Sequence, residues 1–248
     1  MPYFFHNEHQ LFYREAGRGP LLLLLPGNTA SSATYAGELD YFRRRYHTVA
    51  LDFRGTGQSE RLAVWPDDWW QQGAHDAAAL VAHLGYERCI ALGSSGGAVV
   101  ALLLAIHHPE KAQAVIADST VERLPAQRVQ AILAERRQHL PALAAFWQQA
   151  HGDDWEQVIN ADSDLMGRFA GQGIDWLGGQ MHAVRCPVLF TASLRDTALP
   201  DVGTQVCGMA TSVADGQVFF TNVGDHPLIW SRPGDFRRAT DCFLDALT

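Results

Sequence analysis

Apolar residues along the chain alternate between two spacings. Leu21 to Leu25 form an unbroken apolar run, and 48–52, 88–93, 112–117 and 187–192 come close to it. Runs so short, with no polar alternation, predict strands covered on both faces, as in a parallel sheet. Between them lie stretches with apolar residues three or four apart, which predict helices over 31–45, 66–84 and 96–108. Tyr35, Leu39 and Phe42 fall near one face of the first. Pro66 opens the second, with Asp67 and Asp68 in its first turn, where negative charge is favoured. Pro109 stops the third. Residues 3–6 and 9–15 read as a starting hairpin, 201–210 as a weaker helix, 217–221 as a last strand and 233–247 as a closing helix. Strand and helix in alternation imply βαβ crossovers. The expected class is therefore α/β, with a mostly parallel eight-stranded sheet flanked by helices.

One stretch breaks the alternation. From 119 to 185 no strand pattern stands out, and 121–138, 140–150 and 155–169 have helical composition. This predicts a helical lid, inserted after the sixth strand over the C-terminal edge of the sheet. The expected division is a core of 1–118 and 186–248 and an insertion of 119–185. The lid carries Phe146, Trp147, Trp155, Phe169 and Trp176, read first as packing, with Trp147 and Trp176 as candidate pocket residues. Its acids Asp153, Asp154, Asp162 and Asp164 read as a solvated face. Trp65, Trp69 and Trp70, near the start of the 66–84 helix, also read as packing.

Composition narrows the partners. The 248 residues are 47% hydrophobic and 19% charged, which suits a single well-filled core rather than disorder. A net charge of −8 argues against a nucleic-acid partner. No apolar run reaches 18 residues, so no membrane span is expected. The start, Met1-Pro2-Tyr3-Phe4-Phe5-His6, lacks the basic and apolar regions of a signal peptide, which makes the cytoplasm the expected compartment. Cys89, Cys186, Cys207 and Cys242 have no paired spacing and read as free thiols, Cys89 and Cys186 at the starts of buried strands. His6-x-x-His9 and His107-His108 lack the spacing of a metal-binding helix, so no metal is expected. The oligomeric state is left open.

The candidate chemistry lies at strand ends. The 88–93 strand runs into Gly93-Ser94-Ser95-Gly96-Gly97 and then a helix. Only Ser95 is centred in Gly-x-Ser-x-Gly, the nucleophile elbow, where a tight strand-to-helix turn exposes a serine hydroxyl. A serine needs a base for its proton and a third group to orient that base. Asp196 follows the 187–192 strand and His226 the 217–221 strand, both where ligands bind in open α/β sheets. Pro227 turns His226 away from helical conformation. Ser95 is thus the expected nucleophile, His226 the base and Asp196 the acid. Asp118, just after 112–117, is an alternative seat for the acid, and Asp225 is expected to shape the turn beside His226. The N–H groups of Gly96 and Asn28, the latter after the 21–25 strand, are the expected oxyanion donors.

These residues carry a resemblance. Gly19-Pro20-Leu21, Pro26-Gly27-Asn28, Asp52-x-Arg54-Gly55-x-Gly57-x-Ser59, the elbow, Pro187-Val188-Leu189 with Asp196 and Pro200, and Gly224-Asp225-His226-Pro227-Leu228 stand in the order of the α/β-hydrolase superfamily. The chain resembles that superfamily over nearly its full length. The lid size looks like the branch of valacyclovir hydrolase-like esterases and meta-cleavage-product (carbon–carbon bond) hydrolases. Two departures stand out. Pro26-Gly27 replaces the His-Gly pair common before the oxyanion residue, and Ser94, a candidate pocket residue, replaces the amine-binding aspartate of the valacyclovir hydrolase-like enzymes. The second counts against an α-amino ester. Aspartate nucleophiles mark epoxide hydrolases and haloalkane dehalogenases of this fold, and Ser95 argues against both.

The resemblance implies a serine hydrolase that cleaves a small or medium carboxylic ester through an acyl-enzyme, without cofactor. The single glycine before Asn28 disfavours bulky tertiary-alcohol esters. Carbon–carbon bond cleavage of a vinylogous diketone, or lactone opening, is the alternative with the same residues. A ligand receptor of low turnover is the alternative from another class.

Overall fold

The computed structural model describes residues 2–199 and 201–247, and of 139 and 140 the backbone alone. Pro200, one of the superfamily marks, lies outside the described residues. Strands β1 (Tyr3–His6) and β2 (His9–Ala16) form the expected hairpin, from Tyr3 opposite Phe12 to His6 opposite His9. Its two-residue turn, Asn7-Glu8, has φ of +48° and +67°, the twist that suits paired strands.

The crossovers follow: β3 (Leu21–Leu25), α1 (Ala36–Phe42), β4 (His47–Leu51), α2 (Trp69–His83), β5 (Cys89–Ser94), α3 (Gly96–His107) and β6 (Ala112–Asp118). After an excursion the chain resumes with β9 (Val188–Ser193), α6 (Val202–Ser212), β10 (Gly216–Thr221), α7 (Leu228–Ser231) and α8 (Pro233–Asp245). The eight-stranded sheet has the order β1-β2-β4-β3-β5-β6-β9-β10. It is parallel from β4 to β10, with β1 and β2 antiparallel at one edge.

The leucine run explains why strands here lack polar alternation. Leu21, Leu23 and Leu25 join one core, with α2, α3 and α6; Leu22 and Leu24 join the other, with α1, α7 and α8. All five are buried. Both faces are covered, so both sets must be apolar.

The excursion, between β6 and β9, holds β7 (Arg123–Leu124), α4 (Ala126–His151), α5 (Trp155–Arg168) and β8 (Ile174–Asp175). Here the structure differs from the expectation in three ways. Helices expected over 121–138 and 140–150 form one helix, α4, with Pro141 inside it. Proline removes one N–H, and that stretch of α4 is exposed, so water can take the freed carbonyl. Second, α4 begins only at Ala126, because β7 pairs with β8, an antiparallel ladder too short to leave a period in the sequence. Third, Asp162 is wholly buried rather than solvated, whereas Asp153 and Asp164 are exposed.

Elsewhere the helix over 66–84 starts at Trp69. Pro66 to Asp68 make a preceding turn, closed by the Trp69 N–H donating to Pro66 O. The helix expected over 31–45 is a 3₁₀ turn, Ser32–Tyr35, followed by α1. All four cysteines are free; Cys89 and Cys186 are buried, Cys207 and Cys242 exposed. Among the described residues no helix is long and apolar enough to cross a membrane.

Candidate active site

The turn between β5 and α3 builds the centre of the site. Ser95 has φ +55° and ψ −124°, a conformation few non-glycine residues adopt. It persists because its neighbours over-determine it. A Cβ on Gly93 would lie 2.1 Å from Gly97 O, and one on Gly97 would lie 1.9 Å from Leu25 O. Only glycine fits either position. The Ser95 N–H donates to Asp118 O (2.8 Å), and Ser95 O accepts from Ala98 N (2.9 Å). The side chain is thereby turned off the strand and into a cavity.

His226 lies beyond β10, on a loop held by the Leu228 N–H donating to Ser119 Oγ and the Ile229 N–H donating to Asp118 Oδ2. Its Nε2 lies 2.9 Å from Ser95 Oγ, and its Nδ1 lies 2.8 Å from Asp196 Oδ2. A carboxylate only accepts, so Nδ1 carries the proton and Nε2 accepts from the serine. Asp196 Oδ1 accepts from Ala198 N (2.8 Å) and Leu199 N (3.0 Å), so this buried carboxylate is fully satisfied. Asp225 accepts from Thr197 N, Thr197 Oγ1 and the His226 N–H. Those bonds, the Thr197 N–H first, hold its carboxyl below the usual carboxylate range and tie the two loops together.

Of the two seats for an acid, only Asp196 bonds the imidazole. Asp118 lies beneath, fully buried, accepting from Thr191 Oγ1 (2.7 Å), Ser94 Oγ (3.3 Å) and Ile229 N (3.1 Å). Burial pushes its carboxyl up to about 6.

Asn28 and Gly96 line the cavity beside Ser95. The Asn28 side chain packs directly on Gly96: a Cβ there would lie 1.8 Å from Asn28 Oδ1, and 3.4 Å from Asn28 N. Asn28 Oδ1 also accepts from Trp70 Nε1 (3.0 Å). Trp70, read from sequence as packing, thus fixes the asparagine side chain. Below this loop Asp52 accepts from Ser32 N (2.6 Å) and Gln58 N (2.8 Å), and burial pushes its carboxyl up to about 6.

The cavity holds about 580 Å³. Ser94, Trp147 and Trp176, the candidate pocket residues, all line it. Trp147 stacks on Trp155, with ring centroids 5.6 Å apart. Phe146 and Trp230 also reach the cavity, and so do three charged residues of α4, Arg128, Glu135 and Arg136. The sequence reading missed these three. Their spacing along one helix face was the available signal.

A mostly parallel sheet whose fifth strand ends in a strained serine, with a histidine and an acid on later strand ends, is the architecture of the α/β hydrolases. The chain belongs to that family: the alpha/beta hydrolase fold model matches residues 20–179. Epoxide hydrolase 3 of Xenopus tropicalis is 35% identical over 91 residues, 37% of this chain and 25% of that protein. This chain thus spans about a quarter of that curated relative. A hydrolase from Pseudomonas aeruginosa PA01 superposes with a TM-score of 0.77 at 22% identity, covering 98% of this chain and 97% of that one. The enol-lactonase from Burkholderia xenovorans LB400 gives 0.77 at 18% identity, covering 98% and 100%. Both likenesses are of fold.

Proposed function

We propose that this protein is a serine hydrolase that cleaves small or medium carboxylic esters through an acyl-enzyme. The observation that carries the reading is the unbroken run from Ser95 Oγ through the His226 imidazole to Asp196, at a cavity that both Ser95 and His226 line. Ser95 Oγ attacks the ester carbonyl while His226 Nε2 takes its proton. The N–H groups of Asn28 and Gly96 receive the oxyanion, helped by the positive end of α3. His226 then returns the proton to the departing alcohol, and repeats the cycle with water on the acyl group. Asp196 keeps the imidazole in the tautomer that accepts from serine. Residues 119–185 act as the lid that excludes water and shapes the pocket, and a volume near 580 Å³ suits a small-molecule ester. Four free thiols fit a reducing compartment such as the cytoplasm.

The curated relative is named an epoxide hydrolase, yet serine is the wrong nucleophile for turnover on epoxides. Opening an epoxide with a hydroxyl leaves an ether on the enzyme, with no carbonyl for water to attack. An acyl-serine keeps that carbonyl. Labelling with a fluorophosphonate probe tests the reading: stoichiometric, time-dependent labelling of the native protein is expected, with none in Ser95→Ala. A native protein that resists the probe and turns over no ester, while a pocket ligand raises its Tm, would instead be a receptor.

A further inference from the structure

Arg128, Glu135 and Arg136 put charge on the wall of the cavity that holds Ser95. The two arginines are engaged differently. Arg128 Nε donates to Ala198 O (2.9 Å), and its Nη1 and Nη2 donate to the two oxygens of Glu135 (2.8 and 2.9 Å). All three of its nitrogens have acceptors. Arg136 uses Nη1 alone, donating to Asp162 Oδ2 (2.6 Å) and Ser163 Oγ (2.8 Å) on α5. Among the described residues no acceptor is in reach of its Nε or Nη2.

The Nε–Nη2 edge of a guanidinium is a planar fork that meets a carboxylate side-on. This chain uses that edge elsewhere. Arg54 grips buried Asp76 through Nε and Nη2 (2.7 Å each), and Arg61 grips Asp154 through the same pair (2.7 and 2.8 Å). Among the described residues the corresponding edge of Arg136 has no partner, and Arg136 is one of the residues that line the cavity. We propose that Arg136 is the anion-binding residue of this pocket, and that the substrate is an ester carrying a free carboxylate which the Nε–Nη2 edge of Arg136 receives.

The substrate class rests on the serine-esterase reading; the anion subsite does not. Asp162 and Ser163 hold the guanidinium by its far nitrogen, so the open edge is oriented before anything binds. Two arginines face two acids here, so the local charges cancel. Recognition therefore comes from directed N–H donors rather than a diffuse positive field, which favours a planar carboxylate. Apolar side chains, Ile132, Phe146 and Trp147 among them, line the same cavity, where a carboxylate without such a partner would be costly.

The test compares p-nitrophenyl hydrogen glutarate, which bears one carboxylate, with neutral p-nitrophenyl valerate. The proteins are the native chain, Arg136→Gln, Arg136→Lys and the double variant Arg136→Gln/Asp162→Asn, which leaves no buried charge unpaired. The native protein is expected to favour the glutarate half-ester by about tenfold or more in kcat/KM. Arg136→Gln and the double variant lose that preference, mainly through KM, and Arg136→Lys, charged but without the fork, recovers only part of it. No native preference, or equal losses on both esters in the double variant, overturns the proposal and leaves Arg136 a clamp between α4 and α5. Free glutarate gives a readout independent of turnover: it is expected to raise the Tm of Ser95→Ala but not of the double variant. Should glutarate bind while neither ester is cleaved, the esterase reading fails and the anion site stands. Should the neutral ester be cleaved while glutarate neither binds nor gains by esterification, the anion site fails and the esterase stands.

Discussion

Ser95 is held in a backbone conformation that costs free energy, and its surroundings show what keeps it there. Glycines at 93 and 97 admit no Cβ, and two backbone bonds clamp the serine itself. The orientation of His226 depends on one acceptor at Nδ1, and Asp196 and Asp118 differ in whether they supply it. Asp196→Asn places an amide N–H opposite Nδ1 and favours the other tautomer, so a fall in kcat of about 10⁴ is expected. Asp118→Asn disturbs bonds to Ser94, Thr191 and Ile229 without touching the ring, and a loss within about tenfold is expected. Steady-state kinetics on one neutral ester decides, and a reversed order would move the acid to Asp118. At this scale much of the candidate site was legible. The serine, the histidine and both acids sit next to strand ends that the apolar runs mark out. Trp70, Arg128 and Arg136 were not assigned: spacing puts the two arginines on one face of α4, but what that face lines, and what Trp70 bonds, depends on where α4 and α2 pack.

Among the elements, α4 shows how the inserted segment is joined to the core. Its last residue, His151, is buried and accepts from the Gly57 N–H at Nδ1 (3.0 Å), while its Nε2 donates to Thr29 O (3.1 Å). The Ser31 hydroxyl donates to Ala150 O beside it (2.6 Å). All three core partners, Gly57, Thr29 and Ser31, belong to the loops around Asn28 and Asp52, so the end of α4 braces the loops beside the cavity. Burial pulls the His151 imidazole down to about 4 from an ordinary 6.5. The unfolded chain binds a proton here before the folded one does, so this contribution is complete above pH 6.5 and lost as pH falls toward 4. Asp52 and Asp118, raised to about 6, act in the opposite sense, stabilising below pH 3.8 and losing that as pH rises through 6. The His151 effect is therefore read as the stability difference between the native protein and His151→Gln, in which the carboxylates cancel. Urea titrations are expected to show that difference shrinking by roughly 3 kcal/mol from pH 6.5 to 4. A difference independent of pH would mean that His151 is not held neutral. The strands and core helices were readable because each repeats one spacing over its length. The joint in α4 was misread because Pro141, normally a break, sits where the helix faces water, and β7, β8 and α7 are too short to carry any period.

The whole molecule places three side chains, more than a hundred residues apart at the extremes, at one sheet edge. Parallel strands order the chain so that β5, β9 and β10 all end on the same side, and the turns after them deliver serine, acid and histidine in sequence. The helical segment between β6 and β9 contributes the cavity wall and, with Arg136, its open donor edge. On the proposed mechanism Ser95 becomes covalently acylated during turnover. Peptide mass mapping after acid quenching, with p-nitrophenyl butyrate in the steady state, tests it most directly. A butyryl group is expected on the peptide carrying Ser95, formed with the initial burst of p-nitrophenol and missing from Ser95→Ala. Ester hydrolysis at the native rate in Ser95→Ala, or an acyl group carried by a different residue, would contradict it.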